Sequence, residues 1–258
     1  MATTYKSLTP GDVVSTRTLL NEAVPVTGTI SSGTYASDGN IKNYSHGMFQ
    51  SVYDYPYLSS SANHIFDIAV GYASDSGYSG ASNAQNAKKL NIYNQMAQVL
   101  VGFDENGSVR QFDQDGDLSG GTKLKECLFL NFARLLSKDE IKKASFTMSF
   151  ATGGTEASPD FGNLKTISDY GASTSYKVNS PAGEYGILYT SSATANTDSG
   201  VGLVYYQAGV AILSSSLFDG QFGGPAKSYS TSSVSDVMSG SNITASCDGL
   251  RNRINNIA

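Results

Sequence analysis

At 258 residues the chain is long enough for one large β domain, or two small ones, to bury a core. Charged residues make up only 15% of it and the net charge is −5, against about 25% charged in ordinary soluble domains. Duplex nucleic acid is therefore a poor partner, because phosphate binding needs clustered Lys and Arg. The densest basic stretches, Lys88-Lys89, Lys138 to Lys143 and Arg251 to Arg253, are very short or interrupted by acids and read as solvated faces.

Two cysteines, Cys127 and Cys247, supply neither a disulfide framework nor a zinc spacing, and read as free thiols. The start of the chain, Met1 to Lys6, lacks the apolar core of a secretion signal. No stretch approaches the ~18 consecutive apolar residues of a membrane span, so synthesis in a cytosol followed by assembly is expected, without membrane insertion. Low charge leaves little repulsion between copies, which suits a subunit packed beside others, although secreted β proteins and adhesins share the bias.

From Met1 to about Gly39, Pro10-Gly11, Pro25 and short β-branched pieces predict an extended arm. Met48 to Tyr57 is dense in aromatic rings; these fill the core or form an interface, and the core reading has the greater weight. A Ser/Gly-rich loop, Ser74 to Ser82, precedes a helix over about Ala84 to Val101, where Ala87, Leu90, Tyr93, Ala97, Leu100 and Val101 recur at spacings of three and four. Asn106-Gly107 then marks a turn, and Val99 to Phe103 and Ser108 to Phe112 pair as a hairpin if the helix ends early.

After Glu126 the pattern is mostly β. Ser137 to Glu140 has capping-box spacing and predicts one helical turn. Phe146, Met148 and Phe150 alternate with small polar residues, the period of a half-buried strand. Ile187 to Tyr189 and Val201 to Leu213 are further strands, with Gly209 marking a bulge, a tight bend or a close backbone approach. Residues 214 to 246 read as a Ser/Gly-rich linker or long loop, and Leu250, Ile254 and Ile257 as a terminal helix that docks on its own domain or on a neighbour.

The sharpest motif is Asp115 to Glu126. It sets oxygen ligands at loop positions 1, 3 and 5, Gly120 at 6 and Glu126 at 12, the spacing of a helix–loop–helix calcium site. Lys123 at position 9, Thr122 at position 8 and the lack of a helix before Asp115 weigh against calcium, and a structural turn is the favoured reading. His46 and His64 are the only histidines, and neither lies in a nucleophile elbow or a zinc-protease motif. Both read as hydrogen-bonded structural residues. Acid pairs such as Asp104/Glu105 and Asp113/Asp115 are too common to assign to glycoside hydrolysis. No phosphate-binding glycine loop is present.

Four runs, Asn43 to Tyr57, Lys123 to Glu126, Asn179 to Tyr189 and Val201 to Val210, resemble a family of virion structural proteins from T-even-like myoviruses of marine cyanobacteria and related marine phages. The resemblance spreads over most of the chain and implies a particle component, with no catalytic residue to carry over. Members continue past Arg251 to Ile254 into further β-rich sequence, whereas this chain stops at Ala258; it reads as a short member or a truncated one.

The expected fold is mainly β, a β-sandwich-like core with an amphipathic helix before it and a short C-terminal helix. Residues 1–110 form the arm, aromatic segment and helix, 111–213 the core, and 214–258 the linker and docking helix. The expected function is that of a non-enzymatic structural component of a bacteriophage virion, tail or baseplate ahead of neck or capsid, made in the host cytoplasm. It contacts other virion proteins and copies of itself, through the arm, the aromatic stretch and the terminal helix. No catalytic, cofactor-binding or metal residue is assigned. The alternative is a carbohydrate- or receptor-binding tail module using Tyr53, Tyr55 and Tyr57 as a stacking surface, weakened by the absence of Trp.

Overall fold

The computed structural model describes residues 38–53, 56–60, 62–79, 84–132, 140–154, 159–190, 200–218 and 242–257. It is mainly β, with antiparallel sheets, few helices and a sandwich-like arrangement. Strands β1 (Ile41–Asn43), β2 (Gln50–Tyr53) and β3 (His64–Tyr72) form a meander. Helix α1 (Ala84–Leu100) follows, then a small hairpin of β4 (Phe112–Asp113) and β5 (Lys123–Leu124), then β6 (Glu126–Asn131). Strands β7 (Thr147–Gly154) and β8 (Pro159–Ser168) pair as a second hairpin, and the short helix α2 (Ala172–Ser175) leads to β9 (Tyr185–Leu188). A meander of β9, β10 (Gly202–Tyr205) and β11 (Val210–Ser214) precedes helix α3 (Ile243–Arg251) and strand β12 (Ile254–Ile257).

The large sheet has seven strands in the order β1-β2-β3-β6-β11-β10-β9. It is two meanders joined through one strand, β6, which pairs β3 on one side and β11 on the other. The four consecutive residues Cys127 to Leu130 are all buried, which explains why β6 reads as an unbroken apolar run instead of an alternating one. β9, β10 and β11 are likewise buried at every described position. The smaller sheet, β12-β7-β8, keeps the alternation, with Phe146, Met148 and Phe150 buried and Ser145, Thr147 and Ser149 more open. Its β8 end touches the large sheet through a bridge between Ser168 and Tyr189. Rings join the two layers: Phe66 packs on Phe132 at 5.7 Å and Phe132 on Phe146 at 6.1 Å.

α1 lies on the face of the large sheet that carries Gly71. A Cβ there would stand 2.7 Å from the Lys89 carbonyl oxygen and 2.8 Å from the Tyr93 amide nitrogen, so the missing side chain sets how closely helix and strand approach. The helix buries Asn86, Lys89, Ile92, Tyr93, Ala97 and Leu100. That stripe is rotated from the expected one: Tyr93, Ala97 and Leu100 are shared, Ala87 is exposed, and two polar residues face inward. Burial pushes the Lys89 ammonium down to about 8.

Several expectations are corrected. The sheet takes three strands from residues 41–72, so it crosses the expected boundary at residue 110. The helix and the Asn-Gly hairpin both form: α1 ends at Leu100, and Phe103 bridges Val109 immediately after it. Gly209, at φ 65°, closes the tight bend between β10 and β11. Residues 214–218 are no linker but the end of β11 and a 3-10 turn that buries Leu217 and Phe218. The terminal helix starts at Ile243, capped by the Asn242 side chain, and stops at Arg251. Ile254 and Ile257 lie instead in β12, paired with Phe150 and Met148. The spacing of three from Ile254 to Ile257 suited a helix, but a bulge between them lets both face the core from a strand. α3 docks on its own chain: the Cys247 thiol donates to the Ile68 carbonyl at 3.3 Å and the Gln50 amide to Asp248 at 2.7 Å. Almost all of the N-terminal arm, the turn at Ser137 to Asp139, and residues 219–241 of the linker fall outside the described residues.

Candidate functional site

Among the described residues, a cleft of about 450 Å³ lies between α1 and the large sheet. The sheet supplies Ala69 and Phe129 to its floor, the helix Ile92, Met96 and Val99 to one wall, and the turn before β2 Met48 and Phe49 to the other. The turn is made by Gly47 at φ 61° and is tied to the helix by the Lys88 ammonium, which donates to the His46 carbonyl at 2.8 Å. Tyr44, His46 and Phe49 form a ring cluster at this rim, with centroids 4.7 to 5.2 Å apart. Lys42 sits over Tyr44 at 5.0 Å. The lining is mostly apolar, two methionines make it adaptable in shape, and Val99 is 67% exposed at its mouth.

The aromatic stretch therefore divides. Val52 is fully buried, while Phe49, Tyr53 and Tyr57 are half-buried. Tyr53 packs on Tyr57 at 6.1 Å with planes 42° apart and meets the edge of His64 at 5.4 Å. Rings tilted this way offer no common flat face for a sugar. Tyr55 lies outside the described residues.

Both histidines are hydrogen-bonded. His46 Nδ1 accepts from the Met48 amide at 3.1 Å, and His64 Nε2 lies 2.6 Å from Asp67 Oδ1. Ser51 Oγ donates to that same oxygen at 2.5 Å. This is a serine, an aspartate and a histidine in contact, in the wrong order for nucleophilic catalysis. The carboxylate stands between hydroxyl and imidazole, whereas activation needs the imidazole in the middle. Elsewhere the buried carboxylate Asp169 accepts from the Tyr206 hydroxyl at 2.9 Å and the Ala144 amide at 2.7 Å. Burial pushes it up to about 6 against those hydrogen bonds.

The Asp115 to Glu126 loop does not close as its spacing suggests. Glu126 begins β6 and accepts from Ser76 Oγ at 2.5 Å. The carboxylates that gather are Asp113, Asp115 and Asp117, with ligand oxygens all within 4.8 Å of one another. The β4–β5 register sets Asp113 opposite Lys123, and Lys123 Nζ reaches Asp113 Oδ2 at 2.8 Å. The loop is anchored by Gly116, whose carbonyl accepts from Asn179 Nδ2 at 3.0 Å and the Tyr185 hydroxyl at 3.1 Å. Sequence reasoning placed Asp113 only in an acid pair. The signal that could have found its role was the alternation Asp113, Asp115, Asp117 beside a short β hairpin.

Comparison with known proteins finds no matching family model, no matching curated protein and no matching solved structure.

Proposed function

We propose that the chain is a structural component of a bacteriophage virion, in the tail or baseplate, which acts by making contacts with other virion proteins and with copies of itself. The observation that supports this best is the apolar cleft against α1. It is open, rimmed by half-buried rings and lined by Met48, Phe49, Met96 and Val99, side chains suited to accept an apolar anchor from another protein. The virion assignment itself rests on the sequence resemblance. A contact role also agrees with low charge, because weakly charged neighbours pack without strong repulsion. The terminal helix is spent within the chain, which leaves the cleft and the aromatic rim as the contact regions among the described residues. The sugar-binding alternative loses support from the tilt between Tyr53 and Tyr57.

The test is location. Particles carrying an epitope-tagged chain should show label at the tail or baseplate, and purified particles free of the chain would overturn the reading. A Val99→Asp substitution at the cleft mouth should leave the isolated protein folded, since Val99 is exposed, and lower its incorporation into particles at least tenfold.

A further inference from the structure

Asp113, Asp115 and Asp117 approach one another at the turn between β4 and β5, and acids alone do not make a site. The second observation is Asp113 itself. Its side chain has no solvent exposure; one oxygen, Oδ2, takes the Lys123 ammonium, and the other, Oδ1, is buried with no hydrogen-bond partner. A buried carboxylate oxygen without a donor is costly. The direction in which it points is also fixed. A Cβ placed on Gly121 would stand 3.5 Å from Asp113 Oδ1 and 3.4 Å from Asp115 Oδ2, so both oxygens face the same small space beneath a residue without a side chain.

We propose that this space is a calcium site whose ligands include Asp113, Asp115 and Asp117. The charges agree: three carboxylates and one ammonium leave two negative charges, which a divalent cation neutralises. Lys123 does not replace the metal, because it occupies the opposite oxygen of Asp113. An all-oxygen donor set without His or Cys selects a hard cation. Two oxygens on opposite sides of calcium lie about 4.8 Å apart, at roughly 2.4 Å each from the ion, and the observed oxygens fall within that span. The remaining positions belong to backbone carbonyls and water, which calcium accepts in flexible geometry and magnesium accepts less readily.

The backbone already holds the other two acids in place. Asp115 Oδ1 accepts from the Asp117 amide at 3.1 Å, and Asp117 Oδ1 from the Ser119 amide at 2.7 Å. Counting from Asp113, the sixth position is Leu118, at φ 64°, where calcium loops ordinarily set a glycine to turn sharply. The twelfth is Leu124, so the bidentate glutamate is missing. Affinity should accordingly sit near the weak end of the calcium-loop range, with Kd about 10⁻⁴ M.

The chain has no Trp, so terbium bound here can be sensitised only by tyrosine, and Tyr185 donates to Gly116 inside the loop. Titration with terbium should give tyrosine-sensitised emission that calcium displaces, that dims in Tyr185→Phe and that is lost in Asp115→Asn. Separately, 10 mM calcium at constant ionic strength should raise Tm by about 5 °C, with no such rise in Asp117→Asn, whose side chain is exposed and whose amide oxygen can still accept the Ser119 amide. An equal rise with magnesium, a rise retained in both variants, or terbium emission unchanged by Asp115→Asn would overturn the site.

Discussion

Asp169 shows how one residue makes stability depend on pH. Its folded pKa, about 6, lies above the roughly 3.9 of an unfolded aspartate, so the folded state holds the proton more tightly. The stabilisation is fully present below pH ~3.9 and is lost as pH rises through 6. Two units correspond to about 3 kcal/mol. The chain should therefore lose about that much from this residue between pH 4 and pH 7, and Asp169→Asn should flatten the slope in urea titrations at a series of pH values. An unchanged slope would mean that folding does not raise the pKa of Asp169. The acidic loop teaches the complementary lesson about reading a sequence. The motif from Asp115 to Glu126 had the right letters, but the pairing of Asp113 with Lys123 decides which acids meet, and strand register is a long-range property that spacing does not carry.

At the scale of elements, helix α1 was legible because its apolar spacing spans almost five turns, and its observed bounds, Ala84–Leu100, differ from the expected ones by one residue. Its inward face was less legible. Lys89 and Asn86 are buried because the helix approaches β3 at Gly71, where backbone contact outweighs side-chain polarity. Gly71→Ala places a methyl group against two backbone atoms that cannot yield. It should lower stability by about 2–3 kcal/mol, seen as a fall in urea midpoint. A smaller loss would show that α1 shifts along the sheet. Strict alternation predicts β7, whereas the spacing in β12 predicts a helix. Four residues with a bulge satisfy the helical and the extended pattern alike, and only pairing with β7 settles which one forms.

Across the whole molecule, the described residues share one hydrophobic core that runs through both sheets and includes α1 and α3. Cys127 lies in the central strand and Cys247 in the last helix, and both thiols are buried. Burial pushes both pKa values up, so neither thiol should react with a maleimide in the native state. Under mild urea the two should label at the same rate, as one cooperative unit requires. Faster labelling of Cys247 would mean that α3 leaves the sheet before the rest unfolds. The expected division at residue 110 failed to anticipate this unity. Nothing local in residues 41–72 announces that their partner strand lies beyond residue 125.

The strand order β1-β2-β3-β6-β11-β10-β9 also bears on how the protein is made. A growing chain can complete β3–β6 once Asn131 has left the ribosome, but the other edge of β6 pairs only with β11, beginning at Val210. That is about 80 residues later, or roughly 4–16 s at ~5–20 residues per second of synthesis. During that interval a strand whose Cys127 to Leu130 all become buried presents an open edge, the kind of surface that sticks to other nascent chains. The last meander thus acts as a late-arriving shield, closing that edge only once Val210 to Ser214 has been made.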